Sequence, residues 1–441
     1  MAEKAIRYNH IPVQQSTFKA GLAAHVHRWF RLTPSFGPDL VREMLCRLDC
    51  KKDEVVLDPF SGASTTLIEC KFEGYDSYGF EINPFLYWVG KTSLTWGIDP
   101  LILQKEKREI IKLFNERSIR IRFETLDEHG LAIPLIHNPL RWWRTDVLTH
   151  LLILKQVIKE VATSERNRDF FMLGLAGVLV PDLTNVTLGR LQLHFINRDK
   201  DKINVLDTFI KHIEGMIEDI SNISELHLGT TAEIINTNSI TLEDVQLSKP
   251  INCVITSPPY PNRYSYVWNT RPHLYFFDFL STPKEASNLD KETIGGTWGT
   301  ATSMLGKGTI EPSFDVIAEY VLPVVDEIRR EDNLMANYVM KYFNLLASQI
   351  SAMDKLPNKN LRCAYVVGNS RVKGVYVETD VLLGHIFNGL GYNLSAIDRI
   401  RKRHSGKDLH ESIVYAEKIS GTIPNACICK PEYNNQQASL F

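Results

Sequence analysis

Two short stretches of the chain carry residue types whose spacing suits chemistry. In the first, an apolar run, Glu54–Asp58 (EVVLD), leads into Asp58-Pro59-Phe60-Ser61-Gly62-Ala63-Ser64-Thr65-Thr66, and a helical pattern follows over Leu67–Phe72. A loop of small residues between a strand and a helix N-terminus lets backbone N–H groups approach a ligand closely. Glu81 stands 23 residues beyond Asp58, at the end of the next β-rich run, Ser77–Glu81 (SYGFE). An acidic side chain there can accept hydrogen bonds from both hydroxyls of a ribose. The loop is not a G-x-G-x-x-G, and no Gly-Lys-Ser/Thr follows it. A pyrophosphate site is therefore not expected, whereas a nucleoside site remains open. The plainer alternative is a tight β-to-α turn beside a surface glutamate.

In the second stretch, the apolar run Cys253–Ser257 ends in Ser257-Pro258-Pro259-Tyr260. Two prolines at a strand's carboxyl end fix the chain as it leaves the sheet, and Pro259 holds Pro258 extended. Ser257 then offers a hydroxyl, Pro258 a carbonyl oxygen and Tyr260 an aromatic face to the crevice where α/β sheets bind ligands. Two acceptors suit an amino group with two hydrogens, and a ring suits a planar base. The alternative is a structural turn with a packed tyrosine.

These residues need a scaffold of alternating strands and helices. Further β-rich runs occur at Glu233–Asn238, Cys363–Asn369, from Tyr392, and at Glu411–Ala416, separated by helical patterns. That alternation predicts a mostly parallel sheet covered on both faces. The last two runs leave no room for a helix between them, so the sheet should end on an antiparallel strand. Glu81 and Ser257 are 176 residues apart, whereas two βα units need about 60. A helical insertion is therefore expected, with apolar residues at helical spacing in Val147–Val161 and Val205–Ile220. A second insertion follows Tyr260, and its turn-rich run Ile294–Gly308 predicts a long loop.

The 441 residues suit two to three domains or one core with large insertions, and 44% hydrophobic against 23% charged residues excludes wholesale disorder. With 50 Lys+Arg against 52 Asp+Glu the net charge is −2, so nucleic acid would have to meet a local basic face. Seven cysteines form no framework, and even the C-x-C at Cys427 and Cys429 lacks a partner pair. They are expected to be buried or incidental thiols in a reducing compartment. No apolar leader opens the chain, and no run reaches the ~18 apolar residues of a membrane helix. A cytoplasmic location and no membrane contact are expected.

Together the DPFSGASTT loop, Glu81 and TSPPY resemble the S-adenosylmethionine-dependent DNA amino-methyltransferases, which act on N4 of cytosine or N6 of adenine. The resemblance runs over scattered strand segments from about His25 to Lys418. It implies a Rossmann-like α/β fold: a mostly parallel, doubly wound sheet with an antiparallel last strand and a helical insertion. Residues 1–99 would hold the N-terminal part of the core with the cofactor loop. Residues 100–225 would form a helical insertion for target recognition, and 226–441 the C-terminal part with the tetrapeptide and a loop insertion near 261–360. S-adenosylmethionine would be held by Asp58, Pro59, Phe60, Ser61, Gly62, Glu81, Asn238 and Phe36, with Pro34 an alternative to Phe36. Asn238 is expected at the end of the third strand. Ser257, Pro258, Pro259 and Tyr260 would bind the flipped base of double-stranded DNA and present its amino group for direct methyl transfer. The absence of a Pro-Cys dipeptide argues against covalent attack on the ring.

Serine in the first position resembles the N4-cytosine subgroup more than the N6-adenine one. In the loop, Ala63-Ser64 replaces the family's Ser-Gly, which puts a side chain at a position of close backbone approach. The order of loop before tetrapeptide is also less usual for the S-P-P-Y type. Arg263, Arg401, Lys402 and Arg403 are the expected nucleic-acid contacts, the last three in the run Arg399–His404 with Lys407 nearby. Arg141-Trp142-Trp143-Arg144 and the trio Arg117, Arg120 and Arg122 are further basic candidates. A cognate restriction endonuclease is an expected partner. Rival readings are an RNA amino-methyltransferase and a non-catalytic nucleic-acid-binding protein of the same fold, the latter resting on Ser64.

Overall fold

In the computed structural model the described residues are 5–403 and 409–418, apart from 18, 34, 190–191, 227–228, 297–304 and 307. The strands are β1 (Ile6–Tyr8), β2 (Val55–Asp58), β3 (Asp76–Glu81), β4 (Ala232–Asn236), β5 (Ile251–Thr256), β6 (Asn358–Gly368), β7 (Asn393–Lys402) and β8 (His410–Lys418). They form one sheet in the order β1-β7-β8-β6-β5-β2-β3-β4. Every pairing is parallel except those of β8, which runs antiparallel between β6 and β7. The short link from β7 to β8 permits a hairpin but no crossover helix, which is why the last strand reverses.

Strand alternation divides the core between two faces. Val56, Cys253, Ile255 and Ala364 face α1 (Pro38–Arg47), which covers them with Leu40, Val41, Met44 and Leu45. Val55, Leu57, Val254 and Tyr365 face the other way. From the carboxyl ends of β2 and β3 run α2 (Thr65–Glu73) and α3 (Pro84–Ser93). Asn83 starts α3 by accepting the Phe85 and Leu86 N–H groups, with Pro84 at the first helical position.

The long connection from β3 to β4 holds α4 (Pro100–Ser118), α5 (Thr145–Val161), α6 (Glu165–Leu179) and α7 (Val205–Ile223), with a small ribbon of Val186–Leu188 against Leu193–Phe195. Leu103, Leu148, Phe170 and Phe209 of these helices share one apolar cluster with Phe85, Leu86 and Val89 of α3. The insertion therefore thickens the core. Asp219 on α7, fully buried, accepts from the Val26 N–H at 3.0 Å and Trp29 Nε1 at 2.8 Å, and pairs with Arg28 and His25. It pins the strand-less segment before α1 to the insertion.

The segment 261–360, expected as a loop insertion, is largely helical. It contains Tyr266–Asn269, Arg271–Phe276, Pro283–Glu292 and Leu322–Arg329, then α8 (Asn333–Ala352). α8 is the crossover from β5 to β6 and lies buried on the second face with α9 (Thr379–Gly389). The turn-rich stretch 294–308 lies mostly outside the described residues. The thiols also need correction. Cys50, in the link between α1 and β2, and Cys253 of β5, 203 residues apart in sequence, meet in the apolar layer beneath α1 and are joined as a disulfide. Cys46, Cys70 and Cys363 are free, and Cys427 and Cys429 lie outside the described residues. No helix among the described residues is long and apolar enough to cross a membrane.

Candidate active site

Adjacent parallel strands β2 and β5 bring their carboxyl ends together, so the loops that follow them meet. Asp58, the last residue of β2, is buried and accepts from Thr256 Oγ1 at 2.6 Å and from the Phe60 N–H at 3.0 Å. One carboxylate thus ties the small-residue loop to the residue before Ser257. Burial raises Asp58 to about 6, against the pull of its hydrogen bonds. Expected as a direct cofactor contact, it is not among the residues lining the cavity and stands behind the loop, its carboxylate taken by Thr256 and the Phe60 N–H. Ser61 completes the turn: its N–H donates to Phe80 O and its Oγ to Asp58 O, both at 3.0 Å.

Glu81 closes the other wall. The Gly62 N–H donates to its Oε2 and the Asn83 N–H to its Oε1, each at 2.8 Å. Gly62 has φ +51°, a conformation that favours glycine and turns its N–H toward the carboxylate. Burial raises Glu81 to about 7, opposed by the two backbone donors. Each oxygen keeps lone-pair capacity for a hydroxyl donor from the cavity.

That cavity contains about 900 Å³ of space including its open mouth, within the range of small-molecule sites. Pro59, Phe60, Ser61, Gly62, Glu81 and Phe36 line it. Pro34 lies outside the described residues. Asn238 also lines it, but from the loop two residues beyond β4, which ends at Asn236. The strand stops early because Asn238 Oδ1 takes the Ile240 N–H and turns the chain. Ser257 and Pro259 line the same space. Sequence reasoning missed its roof, which comes from Tyr266, Val267, Thr293 and Ile294. The aromatic run Tyr264-Ser265-Tyr266 after the tetrapeptide was the available signal; Tyr264 Oη donates to Thr33 O and fastens this roof to the opposite wall.

Ser64 does not enter the cavity. It adopts φ 65° and is fully buried, with its Oγ directed at Gly90 of α3, where any Cβ would overlap it. The serine in the glycine position is accommodated by a glycine on the neighbouring helix.

Tyr260 stands beside the cavity rather than in its lining, with its hydroxyl directed to the carboxyl end of β6 and the amino end of the antiparallel β8. Its Oη donates to Glu411 Oε1 at 2.9 Å, and the Arg403 guanidinium carbon lies 5.3 Å from its ring centroid. Burial, then the Glu411 carboxylate, holds the hydroxyl well above the ordinary tyrosine value, so it stays a donor. Pro258 is buried.

The basic candidates separate. Arg263 and Lys402 are exposed, Arg263 with φ 60° and its N–H donating to Tyr338 Oη at 3.0 Å. Arg401, expected as a nucleic-acid contact, turns inward onto Glu411, its partner across β7 and β8. Arg403 Nη1 donates to Asn369 O at 2.9 Å. Arg399 is held by Glu378 and Asp380, Arg117 by Glu160 and Arg144 by Asp146. Trp142 and Trp143 are core. His404 and Lys407 lie outside the described residues.

A family model described as DNA methylase matches residues 13–89, the part that carries the loop and Glu81. The type II methyltransferase M.AvaI of Nostoc sp. is 24% identical over 426 residues, covering 86% of this chain and 82% of that protein. M.MvaI of Kocuria varians is 22% identical over 376 residues, covering 82% and 80%. Among solved structures, the rRNA methyltransferase aviRa from Streptomyces viridochromogenes aligns over 90% of this chain and 92% of its own at 11% identity, with a TM-score of 0.32 too low to carry weight. The two relatives each cover more than four fifths of this chain, well beyond the part that the family model matches. The chain is similar to the DNA amino-methyltransferases, and that is the family these matches support.

Proposed function

We propose that the chain transfers a methyl group from S-adenosylmethionine to the exocyclic amino nitrogen of a base flipped out of double-stranded DNA. N4 of cytosine is preferred over N6 of adenine. The observation that carries this reading is one cavity bounded by Glu81 and the 59–62 loop on one side and by Ser257 and Pro259 on the other.

The residues fit the cofactor. Glu81 offers its carboxylate oxygens to the two ribose hydroxyls, the glycine-bearing loop allows close backbone approach, and Phe36 and Asn238 stand on the walls. When bound, S-adenosylmethionine supplies an electrophilic methyl group on a sulfonium. Ser257 and the Pro258 carbonyl accept the two N–H hydrogens of the target amino group, so that its nitrogen lone pair faces the methyl. Tyr260 stacks on the base. Asp58 and Thr256 hold the two loops in mutual register, and most of the acceleration comes from this alignment. Serine at position 257 supports the cytosine preference. Ser64, the feature that favoured a non-catalytic binding protein, points away from the cavity and no longer does so.

Target recognition is assigned to α4–α7 and to the helices after Tyr260, with Arg263 and Lys402 as phosphate contacts. A cognate restriction endonuclease and a cytoplasmic location belong to the same reading. The test is modified-base mass spectrometry of plasmid DNA from cells expressing the chain. N4-methylcytosine is expected, at least about tenfold reduced in Ser257→Ala and Tyr260→Ala while the purified variants still bind cofactor. Full modification by Ser257→Ala would refute the amino-group contact.

A further inference from the structure

At the carboxyl edge of the sheet a row of residues crosses four strands. Tyr260 follows β5, Gly368 ends β6, Glu411 of β8 is the cross-strand partner of Gly368, and Arg401 of β7 is the partner of Glu411. Glu411 is only 6% exposed, and its two oxygens are divided: Oε1 takes the Tyr260 hydroxyl and Oε2 takes Arg401 Nε. On Gly368 a Cβ would lie 2.8 Å from both Cδ2 and Cε2 of Tyr260, so the ring rests against bare backbone. Arg401 is spent on this pair, its side chain 16% exposed.

We infer that Glu411 and Arg401 are positioning residues for the base-stacking ring of Tyr260. This inference rests on the methyl-transfer reading. A tyrosine has two side-chain torsions; contact with Gly368 confines the ring, and the Glu411 tether fixes the direction of its hydroxyl. A buried ion pair adds little stability over apolar residues of similar volume, so the row is poorly explained as a stabilising device. It is well explained as an orienting one. Arg401 takes one oxygen of Glu411 and so fixes the carboxylate, the other oxygen orients Tyr260, and Tyr260 orients the base whose amino group must meet the methyl. Because Arg401 acts through Glu411, it does not serve as a phosphate contact.

The test uses the full chain, tritiated S-adenosylmethionine and unmodified plasmid DNA, with Tyr260→Phe, Glu411→Ala, their double variant, Glu411→Gln and Arg401→Met. Tyr260→Phe and Glu411→Ala should each lower kcat about tenfold, the loss of one hydrogen bond to a charged group, and the double variant should be no slower than either. Glu411→Gln, which retains an acceptor oxygen, should recover most of the rate. DNA affinity and its salt dependence should be unchanged throughout, Arg401→Met included. Multiplying losses in the double variant would overturn the inference, as would an Arg401→Met that weakens DNA binding and flattens its salt slope. Tyr260→Phe removes one hydroxyl from a residue at the edge of the sheet, so full activity in that variant overturns the tether even if Glu411→Ala fails to fold. An unmodified enzyme that transfers no methyl group brings down the parent reading, and this inference with it.

Discussion

The clearest quantitative consequence of the site concerns Glu81 and pH. Its carboxyl is raised to about 7 by burial, yet a pair of ribose hydroxyls needs the ionised form as acceptor. Binding therefore competes with protonation. At pH 6 only about one molecule in ten carries the ionised carboxylate, and at pH 8 about nine in ten do. The dissociation constant for S-adenosylmethionine should consequently be about tenfold larger at pH 6 than at pH 8, a difference of about 1.4 kcal/mol. Isothermal titration calorimetry across this range measures it directly. Glu81→Gln should bind more weakly and lose the slope. Folding responds with the opposite sign. Both Glu81 and Asp58 are raised in the folded chain, so the stability they contribute is full below their ordinary carboxyl values and is lost as pH rises through about 6 and 7. Without ligand, the chain should denature at higher urea at pH 5.5 than at pH 8. An affinity flat between pH 6 and 8, or a Glu81→Gln variant that keeps the slope, would refute the assignment of Glu81 to the hydroxyls.

Two further outcomes follow from packing. Gly90→Ala should cost about 1–3 kcal/mol by driving a methyl into Ser64 Oγ, and roughly half of that should be recovered in Ser64→Gly/Gly90→Ala, read from urea denaturation; equal costs in both backgrounds would show that Ser64 does not face Gly90. Asp219→Ala leaves the buried Val26 and Trp29 donors without their acceptor and Arg28 with only the exposed Glu218 as a charge partner, so it should destabilise by about 3–5 kcal/mol. The same variant should weaken cofactor binding, because the segment it releases leads directly to Leu32 and Phe36 of the cavity wall, and an unchanged denaturation midpoint would refute its role as a pin.

Much of this molecule is legible in its sequence because local chemistry dictates it. The central strands are visible as short apolar runs, and the small-residue loop, Glu81 and the double proline declare themselves by type and spacing. Features that depend on register are hidden. Glu411 lies in a run that looks like an ordinary apolar strand, and only the pairing of β6, β8 and β7 sets it beside Gly368 and Arg401. For the same reason Arg401, one of a cluster of basic residues, turns out to be internally paired while adjacent Lys402 faces solvent: side chains alternate along a strand. Asn238 was displaced by two residues because a side-chain turn ended β4 early. α8 escaped notice because a helix buried along most of its length shows a weak polar stripe, and the glycine-rich stretch before it dominated the reading.

The placement of β5 beside β2 also bears on how the chain is made. The Asp58–Thr256 bond joins residues 198 apart, and the inserted helices lie wholly between them. During synthesis at roughly 5–20 residues per second, about 10–40 s pass between the emergence of β2 and that of its central neighbour. Throughout that interval β2 has β3 on one side and an open, apolar edge on the other, the kind of edge that recruits foreign strands. The helices α4–α7 can already collapse onto α3, since their shared cluster is largely built from residues preceding β5. What cannot form early is the anchor of the 59–62 loop, which waits for Thr256. A nascent chain of this enzyme is therefore helical and partly compact well before it can hold a ligand, and the moment of greatest aggregation risk falls just before the site becomes whole.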